Sequence, residues 1–356
     1  MWKSIATLAL VSWSAFTQAS ERDWQRTFDT MWETRWHQSG VPIGSARWPN
    51  SDKTIRFNIN SGASSSNANR AREAMNTVAK VLDWKALEVP SGDATAQIEF
   101  NIRTYSNEEL SQATCHASPQ MANWLFSKQR LSISEQWGYK CILHELMHAF
   151  GFPGHPQGDT VLSYFQGNQN SLLPLDQFLL KAWYSDAIKP GESPFVTIRT
   201  LNRLWITQHV SEVERDKATA FEQVWFSRMV QGMESYALAK GEPPTILYRS
   251  GRISEEGIRQ GRLNIQGMLG FLYVNGLTVD KDLPKAARLL LAAAQGGNGS
   301  VSNILATQLT TGSWPSEQAA PLCEFFHKTP AQTSRVNSVN LKAALESETC
   351  KAVITQ

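Results

Sequence analysis

The chain has little net charge, few cysteines and no long apolar run. A formal charge of +2 over 356 residues gives no sign of a nucleic-acid partner or of an acidic membrane surface. After residue 20 no segment supplies the ~20 consecutive apolar residues that a membrane-spanning helix needs. There is no Gly-rich phosphate loop and no Gly-x-Ser-x-Gly element, so neither nucleotide binding nor that form of serine catalysis is indicated. Hydrophobic residues make up 42%, enough for packed cores and too many for a disordered chain. The length suits two domains better than one.

Residues 1–19 read as a secretory signal peptide. Lys3 gives a short basic start, Ile5 to Phe16 is mainly apolar but too short to cross a bilayer, and Thr17-Gln18-Ala19 offers small residues for cleavage near Ala19. No cysteine lies near that point, which argues against a lipid-anchored form. The expected destination is the periplasm or the exterior. Export permits disulfides among the four cysteines. Of the three connectivities, Cys115–Cys141 with Cys323–Cys350 is preferred, because each pair stays within one expected domain. Cys141 lies just before the segment His144 to His148, so its bridge would tether that segment to the preceding loop.

The pattern along residues 20–200 is that of a mixed α/β domain. Trp24, Phe28, Met31, Trp32 and Arg35 keep helical spacing. Thr54 to Asn60 and Gln97 to Arg103 alternate polar and apolar residues and predict strands; Gln129 to Ile133 predicts a third, short one. Between the first two, Asn69 is placed to cap a helix running to about Asp83. A further helix is expected from Gly138 to Phe150, with Gly151 as its stop. The expected architecture is a sheet with one helix on its back and one carrying a metal site. Leu175 to Tyr184 predicts another helix, broken by Lys189-Pro190-Gly191.

Residues 201–230 read as a helical linker and 231–356 as an all-α repeat domain. The segment Met268 to Gly276 is echoed by Asn303 to Gly312, and Gly276 recurs as Gly312, 36 residues on. Ser235 to Gly241 looks like a degraded earlier copy. A period of this size, built of helix pairs, defines a solenoid. With Lys285-Ala286-Ala287 and Ala292-Ala293-Ala294-Gln295-Gly296, the region resembles Sel-type tetratricopeptide-like repeats. That resemblance implies contacts with a protein partner.

The chemistry concentrates at His144-Glu145-Leu146-Met147-His148. Residues four apart share one helix face, so His144 and His148 can direct two imidazoles at one ion. Glu145 lies beside them, as in zinc hydrolases where such a glutamate takes a proton from water at the metal. Cys115-His116 could suggest a thiol nucleophile, but a disulfide is the better reading and no Asn or Asp partner is evident. His37, His209 and His327 are isolated and read as structural or surface residues.

With Gly151 and His155, the segment resembles the metzincin metallopeptidases, whose signature is HExxHxxGxxH followed by a Met-turn. The resemblance covers roughly residues 50–185 and is specific only over 144–184. It implies a Zn²⁺ cofactor and hydrolysis of a peptide or protein substrate, with Glu145 as general base. Two departures stand out. The family's third His falls at Gly154 here, and the histidine comes one later, as His155, with Asp159 as the reserve ligand. In Thr160-Val161-Leu162-Ser163-Tyr164, Leu162 stands where the family has Met. Tyr164 then occupies the position of a tyrosine that stabilises the transition state in two branches of the family; its other reading is a core tyrosine. The expected function is an exported zinc endopeptidase. The alternative is a catalytically degenerate periplasmic adaptor that acts through its repeats.

Overall fold

The computed structural model describes residues 21–36, 44–49, 51–112, 115–163, 171–241, 255–276, 278–312, 314–328 and 338–354. The expected signal peptide, His37 and Tyr164 lie outside them. The chain forms two compact units that divide between Trp225 and Phe226.

The first unit begins with α1 (21–33), which buries Trp24, Phe28, Met31 and Trp32 on one face. Strands β1 (Thr54–Ile59), β2 (Lys85–Glu88), β3 (Ile98–Arg103), β4 (Cys115–Ala122) and β5 (Leu125–Ser134) form one sheet in the order β2-β1-β3-β5-β4. The first four in that order run parallel, and β4 is an antiparallel edge. Asn123 and Trp124, both at positive φ, make the two-residue turn that folds β4 back along β5. Pro119 sits in β4, where an edge strand tolerates the missing N–H. In β3 the alternation expected from sequence holds: Ile98, Phe100 and Ile102 point inward.

Between the strands run α2 (Ser65–Leu82) and α3 (Asn107–Gln112). The cap of α2 is Ser64, one turn before the expected Asn69: its side chain accepts the Asn67 N–H, and Glu135 accepts from both its N–H and its hydroxyl. After β5 come α4 (Gly138–Ala149), α5 (Pro174–Trp183), α6 (Pro194–His209) and α7 (Arg215–Ala237), within which the two units divide. Helices α2 and α4 touch each other, and α4 also packs on β4 and β5.

The second unit takes the end of α7 and then α8 (Glu255–Asn275), α9 (Leu283–Gln295), α10 (Gly299–Thr310), α11 (Ser316–Lys328), α12 (Ser338–Leu345) and α13 (Glu348–Ile354). No strand occurs among its described residues. Small side chains set the packing distance: a Cβ on Gly270 would come within 2.4 Å of Leu290, and one on Gly296 within 2.2 Å of Leu263. Among the described residues no helix is long and apolar enough to cross a membrane. Both preferred disulfides form: Cys115–Cys141 joins β4 to α4, and Cys323–Cys350 joins α11 to α13.

Candidate metal centre

Helix α4 carries His144 and His148 one turn apart, with Glu145 between them, and ends at Phe150. Gly151 follows at φ 106°, a conformation other residues adopt only with strain. A Cβ there would also sit 2.3 Å from the Ala46 carbonyl oxygen. The chain turns at this point and returns His155 to the face of the helix.

The three imidazoles converge. His148 Nε2 lies 3.1 Å from His144 Nε2 and 3.0 Å from His155 Nε2. A tetrahedral ion with bonds of about 2.05 Å would space its ligands by about 3.3 Å, so these atoms already describe one face of a coordination shell. Backbone carbonyls hold the far nitrogens: Val161 O lies 2.9 Å from His144 Nδ1, and Phe152 O lies 2.5 Å from His148 Nδ1. A carbonyl only accepts, so each Nδ1 carries its hydrogen and each Nε2 presents a bare lone pair. Bare lone pairs at this distance repel unless a cation lies among them, and outer partners of this kind are what orient ligating histidines. The group His144, His148 and His155 can therefore hold a metal ion. Burial pushes His144 down to about pKa 4, against the Val161 hydrogen bond, which keeps it in the neutral form a metal needs.

Asp159 is elsewhere. Its carboxylate, more than half exposed, pairs with Arg26 at 2.8 Å. Position 154 is closed to a side chain. A Cβ at Gly154 would lie 1.9 Å from the Glu33 carbonyl oxygen, and the Gly154 N–H donates to Thr34 O at 3.0 Å. No side chain fits at 154, so the ligand comes from 155.

Glu145 is buried beside the histidines, and burial raises its carboxyl to about pKa 8. The Ala117 N–H of β4 donates to it and pulls the other way. The edge strand is thus joined to the glutamate directly, and two residues earlier through the Cys115–Cys141 bridge.

Leu162, next to the Val161 whose carbonyl meets His144, is fully buried. This segment is pinned by a residue the sequence did not single out for the site. Asp176, in the first turn of α5, accepts from the Thr160 hydroxyl, from Val161 N–H (3.1 Å) and from Leu173 N–H (2.9 Å). Burial raises its pKa and the three donors oppose that rise. Val161 therefore gives its N–H to Asp176 and its carbonyl to His144. Arg35 is the second such residue. It is fully buried, donates to Gly151 O at 2.8 Å, and lies 4.0 Å over the Trp183 ring. Their only sequence signals were helical spacing for Arg35 and, for Asp176, a place in the expected helix Leu175 to Tyr184. Of the remaining histidines, His209 packs on Phe178 and Trp205, and His116 is exposed on β4.

Comparison of the chain with protein-family models, with curated proteins and with solved structures finds no match.

Proposed function

We propose that the chain is an exported zinc-dependent endopeptidase of metzincin type, with a C-terminal repeat region that contacts a protein partner. The observation that carries the proposal is the convergence of three imidazoles, His144, His148 and His155, beside a buried Glu145 that is itself bonded to a sheet edge. Three protein ligands with a position left open distinguish a catalytic zinc site from a closed structural one. Zinc, when bound, supplies Lewis acidity to a carbonyl and to water.

Glu145 is the general base. Its carboxylate takes the proton of the attacking water and returns it to the leaving amine. Strand β4 has no strand paired on its outer side among the described residues, and such an edge accepts an extended peptide as a further strand. That mode of binding would run a peptide past Glu145. Tyr164 is assigned to stabilising the developing oxyanion. The two disulfides support an oxidising compartment, periplasmic or extracellular.

The test is hydrolysis of a broad peptide library by wild type and by Glu145→Gln, each loaded with zinc. Cleavage by the wild type alone supports the proposal. Zinc uptake with no cleavage by either protein leaves the adaptor reading in its place.

A further inference from the structure

We propose that the C-terminal turn of α1 is the positioning element of the metal site: Glu33 and Arg35 set the loop that delivers His155 and the carbonyl that orients His148. The inference rests on the metal-site reading above and adds to it a segment more than a hundred residues away in sequence.

The loop from Gly151 to Asp159 has no regular structure to hold it. Its anchors come from α1 and the turn that follows. Arg35 donates to Gly151 O, and the next carbonyl in the chain, Phe152 O, is the one that meets His148 Nδ1. Fixing the first peptide therefore fixes the direction of the second. Gly154 N–H donates to Thr34 O one residue before His155, and Gln157 N–H donates to the Glu33 carboxylate at 2.7 Å two residues after it. The third ligand is thus bracketed on both sides by bonds to residues 33 and 34. The outermost contact, Arg26 with Asp159, is exposed on both partners and adds little.

The clamp is itself rigid. Phe28 and Trp32 are fully buried against Phe195, Trp205 and Trp225, and the Trp225 indole donates to Asp29 at 2.8 Å. Arg35 is stacked on Trp183. A ligand loop held in its bound geometry loses less conformational entropy when the ion arrives, which is the general origin of affinity through preorganisation. Glu33 and Arg35 act through their bonds to Gln157 and Gly151, so they are positioning residues.

The experiment is zinc affinity of the full chain by chelator competition, together with the visible spectrum of the cobalt-substituted protein. Glu33→Ala removes the acceptor for Gln157 N–H and is expected to weaken zinc about tenfold or more and to alter the cobalt bands. Glu33→Gln keeps an acceptor oxygen and is expected to stay within about twofold of wild type. Arg35→Met is expected to weaken zinc by about 10–100-fold. Circular dichroism and melting of the metal-free proteins identify the variants that fold; should Arg35→Met fail to fold, the Glu33 pair decides alone. Folded Glu33→Ala with wild-type affinity and unchanged cobalt bands overturns the clamp while leaving the metal site standing. A wild type that takes up no zinc overturns both.

Discussion

Glu145 carries a buried carboxyl, held by the Ala117 N–H and pushed by desolvation to about pKa 8. A structural metal site has no use for such a group. If it is the base, Glu145→Gln retains zinc and loses about a thousandfold in kcat, measured on any peptide the wild type cleaves. Asp176 acts one step further out. Asp176→Ala leaves Thr160, Val161 and Leu173 donors without their acceptor and is expected to lose about 3 kcal/mol of stability by denaturant titration, with weaker zinc binding because Val161 no longer holds His144. Stability and affinity both at wild-type level would show that the bonds to Asp176 do not set the turn. At this scale the sequence was legible where one residue's spacing decides its partner. His144 and His148 share a helix face, and nothing else is required to bring them together. His155 was preferred over Asp159 from sequence, and the structure brings His155 to the other two histidines while Asp159 pairs with Arg26. Arg35 and Asp176 were missed because they act through the carbonyls of Gly151 and Val161, and a backbone atom leaves no mark on residue identity.

The elements divide in the same way. Strand β3 was readable because it buries one face and alternates, and β1 and β5 because their sequences alternate over part of their length. The sheet edges were not. Lys85 to Glu88 is short and largely exposed, and Cys115 to Ala122 is polar and carries Pro119, so neither shows period two. Both exist because neighbours offer a hydrogen-bonding edge. The β4 edge is bound to α4 by Cys115–Cys141, which closes 26 residues. On loop-closure entropy, replacing both cysteines by serine should lower stability by about 3.5 kcal/mol. It should also raise KM for peptides more than it lowers zinc content, since the bridge sets the distance from strand edge to Glu145. An unchanged KM in a folded variant counts against β4 as the peptide edge. Helices α6 and α7 supply a test by pH. Burial raises the pKa of Glu222, with Arg199 opposing from 3.7 Å. A carboxyl with a raised folded pKa contributes most below its unfolded pKa, and that contribution is lost as pH rises through the folded value. Wild type should therefore lose stability relative to Glu222→Gln as pH rises above the ordinary glutamate pKa, about 4.3, in denaturant titrations. A difference that stays constant over that rise would mean that the Arg199 pairing cancels the burial.

The whole molecule consists of two compact units, and the metal ligands all belong to the first. Ligand binding stabilises only what it binds, so a chelator should lower the melting transition of the first unit by an amount that grows with zinc affinity and leave that of the second unchanged. Equal shifts in both transitions would show that the units unfold together. The helical character of the second unit was readable because strand alternation is lacking there, and small residues stand where helices approach closely, as Gly270 against Leu290 shows. The units divide between Trp225 and Phe226, inside the segment 201–230 expected as a helical linker and within the continuous helix α7. The most direct test of the account is the metal content of the purified mature protein, by elemental analysis, for wild type and His155→Ala together. The account predicts about one zinc per wild-type chain and a marked loss in the variant, as a three-histidine site requires. A wild type that holds no zinc after reconstitution, or a variant that holds as much as the wild type, would contradict it.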